Sequence, residues 1–151
     1  MTTRYFDDFN AGDVFVSPGM TITESAIVDF ASQWDPQPFH IDAEFARTEG
    51  NYGGLIASGM HTMVVTLKLW LSDGILKHCT IGSPGLDSIR FPLPVRPGDT
   101  LRVTTEFLET RASASKPDRG IVKVRHTTRN QRGEIVLTMD ANVILTRRPA
   151  S

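Results

Sequence analysis

Residues 58–73 read SGMHTMVVTLKLWLSD and include the most apolar stretch of the chain, from residue 60 to residue 71. Few of its positions are polar, and a helix that is apolar nearly all round is a buried one. Gly74 stands where a left-handed residue can end such a helix. Lys68 interrupts the stretch, which is also too short to span a bilayer. We therefore predict one long, buried helix at the centre of the fold.

Downstream of this helix the apolar residues recur at every second position. The alternation covers residues 101–107, 122–127 and 135–145, and this period is typical of half-buried strands. Turn residues fill the intervals 116–120 and 130–133. Because the connections are short, consecutive strands are expected to pair antiparallel.

Upstream of the helix the pattern is mixed. Residues 13–17 are a predicted strand, and after a Pro-Gly turn residues 20–23 are expected to pair back onto it. Thr23 is a predicted N-cap of a helix whose apolar face carries Ile27, Phe30, Ala31 and Trp34. Pro36 ends this helix near residue 34, and Asp42 is expected to cap a short helix through residue 46. Helices and strands are segregated along the chain, so the fold class is α+β, with a bent antiparallel sheet around the central helix.

Composition limits the classes of function. The chain has 151 residues, enough for one domain over residues 1–151, and a formal net charge of −1 without a basic stripe. We therefore expect no nucleic-acid partner. The single cysteine, Cys79, excludes a disulfide framework within one copy. The N-terminus has no apolar run that would resemble a signal peptide, so we expect a cytoplasmic protein that binds no membrane.

An acid and a histidine lie five residues apart in the segment WDPQPFHID, residues 34–42. We interpret the segment as a loop, made rigid by two prolines. A rigid loop that presents Asp35 and His40 suits general acid–base chemistry. On spacing alone, a simpler interpretation is favoured, in which Asp35 ends a helix and His40 fills the edge of the core.

A glycine-rich segment, GGLIASGM at residues 53–60, leads into the central helix. The N-terminus of a helix offers unpaired N–H groups and a partial positive charge. Gly59 would let a ligand approach the backbone closely there, as an oxygen that gains negative charge requires. The alternative, a merely flexible connection, stays open on these residues alone.

Three segments in one order resemble the MaoC-like dehydratase family, which includes the (R)-specific enoyl-CoA hydratases. The family's motif Asp-x-Asn-Pro-x-His, followed by Asp, is similar to residues 35–42, and its His-Gly-Met element to residues 58–60. Its Phe-x-x-Pro-Val-x-x-Gly-Asp element is matched at residues 91–99. The likeness covers roughly residues 9–145. It departs at Gln37, where the family has Asn, and at Ser58, where the family has His.

This resemblance implies a hot-dog fold and a hydratase or dehydratase that acts on enoyl-CoA and 3-hydroxyacyl-CoA thioesters, with (R) specificity. By analogy Asp35 and His40 together activate one water, and the Gly59 N–H polarises the thioester carbonyl. No metal or organic cofactor is implied, because CoA is part of the substrate. The residues expected to bind substrate are Gln37, Pro38, Phe39, Ser58 and Met60.

Two other functions stay open at this point: a hot-dog acyl-CoA thioesterase and a non-catalytic acyl-CoA-binding module. A metal site built from His40, Asp42, Glu44 and His61 fits no standard zinc spacing. A homodimer or dimer-based assembly is expected, because the strand over residues 134–146 could leave an edge, and exposed edges tend to be paired.

Overall fold

A computed structural model describes residues 2–151, and its central feature is a six-stranded antiparallel sheet. The strands are β1 Val14–Val16, β2 Met20–Thr21, β3 Thr80–Arg90, β4 Thr100–Ala112, β5 Arg119–Arg129 and β6 Ile135–Thr146. They run in the order β1-β4-β5-β6-β3, and β2 also pairs with β4. The predicted succession of antiparallel strands is confirmed for β4, β5 and β6.

Four α-helices precede most of the sheet: α1 Glu24–Trp34, α2 Pro38–Ile41, α3 Ala43–Thr48 and α4 Gly59–Leu71. A short 3₁₀ helix, Phe6–Asp8, packs near the N-terminus. The predicted caps are confirmed: the Thr23 side chain accepts a hydrogen bond from the Ala26 N–H at 3.1 Å, and Asp42 accepts one from the Phe45 N–H at 3.0 Å. α1 ends before Pro36, as expected from the restriction that proline places on Asp35.

The helix α4 lies against the sheet and forms the core with it. Val65 and Leu69 belong to one buried cluster with residues of β4 and β6, and Trp70 belongs to a second cluster with residues of β4, β5 and β6. Burial of these side chains removes apolar surface from water and holds the helix in the bend of the sheet. The α+β class and the hot-dog arrangement are therefore confirmed.

One face of α4 is exposed, against the prediction that the helix is buried all round. Met60, Val64, Leu67 and Leu71 expose between 41% and 50% of their surface. Their spacing of three and four residues puts them on one side of the helix. The sheet covers only the opposite side, so a single copy of the chain leaves this face open to solvent.

The pairing of three strands differs from the prediction. Residues 134–146 form no edge, because β6 lies between β5 and β3, and the edge strands are β3 and β1. β2 pairs with β4 and not with β1. The cause is at Ser17, whose N–H donates to the Val103 carbonyl and whose hydroxyl accepts from the Val103 N–H, so the chain continues along β4.

Two further expectations upstream are corrected. Trp34 is 72% exposed, although Ile27 and Ala31 on the same predicted face are fully buried. The face of α1 that packs inside is thus shorter than the pattern indicates, since Trp34 lies at the last residue of the helix. The segment 34–42 is also not all loop, because Pro38 begins the one-turn helix α2, a position that suits its fixed φ. Within residues 2–151, no helix is long and apolar enough to cross a membrane.

Candidate active site

A cleft of about 390 Å³ opens where α1, α2 and the N-terminus of α4 meet. Seven of the eight residues predicted for the site line this cleft. The eighth, Pro38, does not line it and instead starts α2. The cleft is walled by Asp35, Gln37, Phe39, His40, Ser58, Gly59 and Met60, together with Tyr52, Ile56, Ala57, Thr62, Val136 and residues 91–95.

His40 lies on α2 with 4% of its surface exposed. Its Nδ1 is 2.7 Å from the carbonyl oxygen of Ile56. A carbonyl only accepts hydrogen bonds, so Nδ1 carries the proton. In the neutral ring, Nε2 therefore has a free lone pair. This atom lies 3.3 Å from Oδ2 of Asp35.

Asp35 immediately follows α1 and turns its carboxylate towards α4. Its Oδ1 accepts a hydrogen bond from Gln37 Nε2 at 2.7 Å, and its Oδ2 accepts one from Ser58 Oγ at 2.7 Å. Burial raises the pKa of this carboxyl, but the hydrogen bonds from Ser58 and Gln37, together with the positive charge of His40 when its ring is protonated, hold the pKa below its usual range. Asp35 is thus a carboxylate at neutral pH.

Ser58 is fully buried directly before α4. Its hydroxyl donates to Asp35 and accepts a hydrogen bond from the Met60 N–H at 3.2 Å, which makes it the N-cap of the helix. Sequence reasoning placed Ser58 among the residues that bind substrate. In the structure its hydroxyl is engaged with Asp35 and with the backbone of α4.

Gly59 is the first residue of α4, and its amide is among the N–H groups that a helix leaves without an intrahelical partner. The ring of Phe91 covers its Cα. A side chain at position 59 would bring its Cβ to 2.8 Å from Cζ of Phe91 and 2.9 Å from Cε1. A side chain at position 59 would therefore displace the half-exposed ring of Phe91.

Sequence reasoning missed the two contacts that shape the site. The carbonyl of Ile56 sets the tautomer of His40, and a backbone acceptor sixteen residues away has no signature in a sequence. Phe91 was recognised only as part of a motif. Its aromatic character beside the prolines at 92 and 94 was the available signal, but nothing linked it to Gly59.

The residues considered for a metal site have other partners. Asp42 caps α3, Glu44 pairs with Arg47 at 2.7 Å, and His61 stacks on Phe30 with ring centroids 4.7 Å apart. Among the residues that the structure describes, no three His, Cys, Asp or Glu side chains converge in a way that could hold a metal ion.

A larger cavity, about 970 Å³, lies between α4 and β3, away from the acid–base pair. Its wall is mostly apolar and includes the exposed side chains of Val64, Leu67 and Leu71 from α4 and Leu86 from β3. His126 and Trp70 line its inner side. The chemistry of Asp35 and His40 makes the smaller cleft the candidate active site, since size alone does not define one.

Comparison with known proteins points to one family. The MaoC like domain matches residues 9–130. The uncharacterized protein YdeM of Bacillus subtilis is 31% identical over 141 residues, which are 93% of this chain and 98% of YdeM. A MaoC-like dehydratase structure from Rhodospirillum rubrum is 42% identical with a TM-score of 0.89, over 97% of this chain and 99% of that one. The R-hydratase PhaJ1 of Pseudomonas aeruginosa, in unliganded form, is 25% identical with a TM-score of 0.71, over 97% and 92%.

Proposed function

The chain belongs to the MaoC-like dehydratase family, and on that premise we propose that it hydrates enoyl-CoA thioesters to (R)-3-hydroxyacyl-CoA and catalyses the reverse dehydration. The observation that carries the proposal is the approach of His40 Nε2 to Asp35 Oδ2 at 3.3 Å in an open cleft. A carboxylate oxygen and an imidazole nitrogen, both acting as hydrogen-bond acceptors in the proposed mechanism, face one space there.

One water molecule in that space satisfies both acceptors. Gln37 and Ser58 each occupy one lone pair of the carboxylate, and the remaining lone pairs are free to accept from the water. In hydration the water loses a proton to this pair as its oxygen bonds to the β carbon. The electrons of the double bond move towards the thioester oxygen, and a proton returns to the α carbon. Dehydration is the same sequence in reverse.

The thioester oxygen gains negative charge during this step and needs a donor. We assign that role to the Gly59 N–H, at the N-terminus of the thirteen-residue helix α4. The partial positive charge of a helix N-terminus stabilises such an oxygen. A preorganised donor of this kind acts in the transition state more than in the bound substrate.

A panel of enoyl-CoA substrates tests the proposed activity. Loss of the conjugated enoyl signal is followed together with free thiol, starting from crotonyl-CoA and longer analogues. Hydration without thiol release is the expected result, with no added metal or cofactor. Thiol release without hydration would instead identify a thioesterase, and tight binding with neither reaction would identify an acyl-CoA-binding module.

We further propose that the active assembly is a homodimer of a cytoplasmic protein. The exposed apolar face of α4 lies beside β3, an eleven-residue edge strand that itself exposes Ile81 and Leu86. Apolar surface next to an unpaired strand is typical of a contact between copies. The other edge strand, β1, has only three residues and offers a much shorter interface.

A further inference from the structure

We propose that Ser58 is a positioning residue: its single hydroxyl fixes the carboxylate of Asp35 relative to the first turn of α4. The inference rests on the proposed function for its kinetic consequence, but the geometry stands without it. Ser58 Oγ donates to Asp35 Oδ2 at 2.7 Å and accepts from the Met60 N–H at 3.2 Å. A hydroxyl has one hydrogen to donate, and here it is given to the carboxylate.

The two hydrogen bonds join parts of the chain that are far apart in sequence. Asp35 immediately follows α1 and lies 23 residues before Ser58, whereas the Met60 N–H belongs to the first turn of α4. Ser58 therefore fixes the position of the proposed base, Asp35, relative to the proposed oxyanion donor, the N–H of Gly59. Because Ser58 is fully buried, bulk water cannot replace its hydroxyl without rearrangement.

The hydrogen bond from Ser58 also affects the ionisation of Asp35. A donor to a carboxylate favours its ionised form, and Ser58 is the strongest of the groups that lower the pKa of Asp35. Its bond goes to Oδ2, the oxygen that also faces His40. Loss of the hydroxyl is thus expected to free that oxygen to rotate away from His40 and to raise the pKa of Asp35.

The test is a carboxyl titration of Asp35 by carbon-13 NMR in wild type, Ser58→Ala and Ser58→Gly, with Asp35→Asn used to assign the signal. Glycine is a tolerated N-cap, so Ser58→Gly removes the hydroxyl with a smaller loss of helix stability than alanine causes. Thr23→Ala is the matched control, because it removes the N-cap hydroxyl of α1, which contacts no carboxylate. The expected result is a raised Asp35 pKa in both Ser58 variants and an unchanged one in the control.

Kinetics provide the second readout. If the proposed function holds, kcat/KM for hydration falls about tenfold to a hundredfold in both Ser58 variants, as loss of a hydrogen bond to a charged group implies. The acid limb of the pH profile moves to higher pH with the Asp35 pKa. An Asp35 pKa that is the same in wild type and both Ser58 variants would overturn the inference. A wild type without hydratase activity would instead overturn the proposed function, and the titration would still decide the role of Ser58.

Discussion

Oδ2 of Asp35 lies 3.3 Å from Nε2 of His40, although Asp35 immediately follows α1 and His40 lies on α2. The approach depends on the turn at Pro36, which ends α1, and on α2, which returns His40 towards the end of α1. Groups held this closely are expected to act as a unit.

The first prediction concerns that unit. Asp35→Asn keeps the shape of the side chain but cannot accept a proton at neutral pH, and His40→Ala removes the second acceptor for the water. Each change should nearly abolish hydration of crotonyl-CoA, and the double variant should be little slower than either single one. Binding of the substrate, measured by calorimetry, should persist in all three. Hydration by Asp35→Asn at the wild-type rate would contradict the mechanism.

The second prediction distinguishes two possible roles of Gly59. One is the hydrogen bond that its N–H donates, and the other is the space left by its missing side chain. Gly59→Ala places a Cβ against Phe91 and should slow turnover, and Phe91→Ala in the same chain should restore part of it. Gly59→Pro also removes the N–H, at a helix position where proline is tolerated. Its turnover should fall about a hundredfold or more, as for loss of an oxyanion donor.

In this second test the informative comparison is between double variants. Gly59→Pro with Phe91→Ala should stay inactive, while Gly59→Ala with Phe91→Ala is active. Equal turnover of the two would show that the donor to the thioester oxygen lies elsewhere.

The third prediction is a loss of stability in mild acid caused by His126. Burial lowers the pKa of this histidine to about 4, and the nearby Asp140 opposes burial only in part. At a pH between about 4 and 6.5, His126 binds a proton in the unfolded chain but not in the folded chain. The contribution of His126 to the free energy of unfolding is therefore fully present above about pH 6.5. It is lost as the pH falls towards 4, by up to about 3 kcal/mol.

Thermal unfolding from pH 7 to pH 4 measures this effect. His126→Gln cannot titrate, and its amide can still bond to Thr105, which lies 2.8 Å from His126 Nδ1. The variant should lose less stability over the interval than wild type does. Burial lowers the pKa of His61 as well, so some decline should remain. Identical pH dependence in the variant and wild type would exclude His126 as a cause.

The fourth prediction addresses assembly. Leu67→Glu puts a charge on the exposed face of α4 and should convert the expected dimer to a monomer in light scattering at micromolar concentration. Val16→Glu is the matched control, because Val16 is 67% exposed on the other edge strand, β1. Loss of the dimer in the control but not in Leu67→Glu would show that the interface lies at β1. A monomeric wild type would refute the dimer.

Local patterns predicted the elements well. Alternation identified β4, β5 and β6, Thr23 and Asp42 were recognised as caps, and Pro36 marked the end of α1, because each of these signals acts within a few residues. The prediction that residues 134–146 could leave an edge was wrong, since strand order depends on where the chain returns after α4. The exposed face of α4 was missed for a similar reason: an apolar residue carries the same sequence signal whether its own chain or another copy covers it.

In the site, too, local sequence signals were recognised and contacts between distant positions were missed. Spacing alone favoured a structural role for Asp35 and His40, and the pair was selected because residues 35–42 resemble the family motif. The contact of Ser58 with Asp35 joins positions 23 residues apart, and that of Phe91 with Gly59 joins positions 32 residues apart. Neither spacing follows a helical or strand period, so only the folded chain brings these pairs together.

The cleft has a buried floor and an exposed rim, and this division bears on how the protein could be redesigned. His40 and Ser58 are at most 4% exposed, while Met60, Phe91 and Leu93 on the rim are each at least 40% exposed. Surface substitutions usually change stability by less than about 0.5 kcal/mol, whereas buried polar groups tolerate little. If the proposed function holds, a library randomised at Met60 and Leu93 can therefore explore acyl chains of different length and branching while His40 and Ser58 beneath stay unchanged.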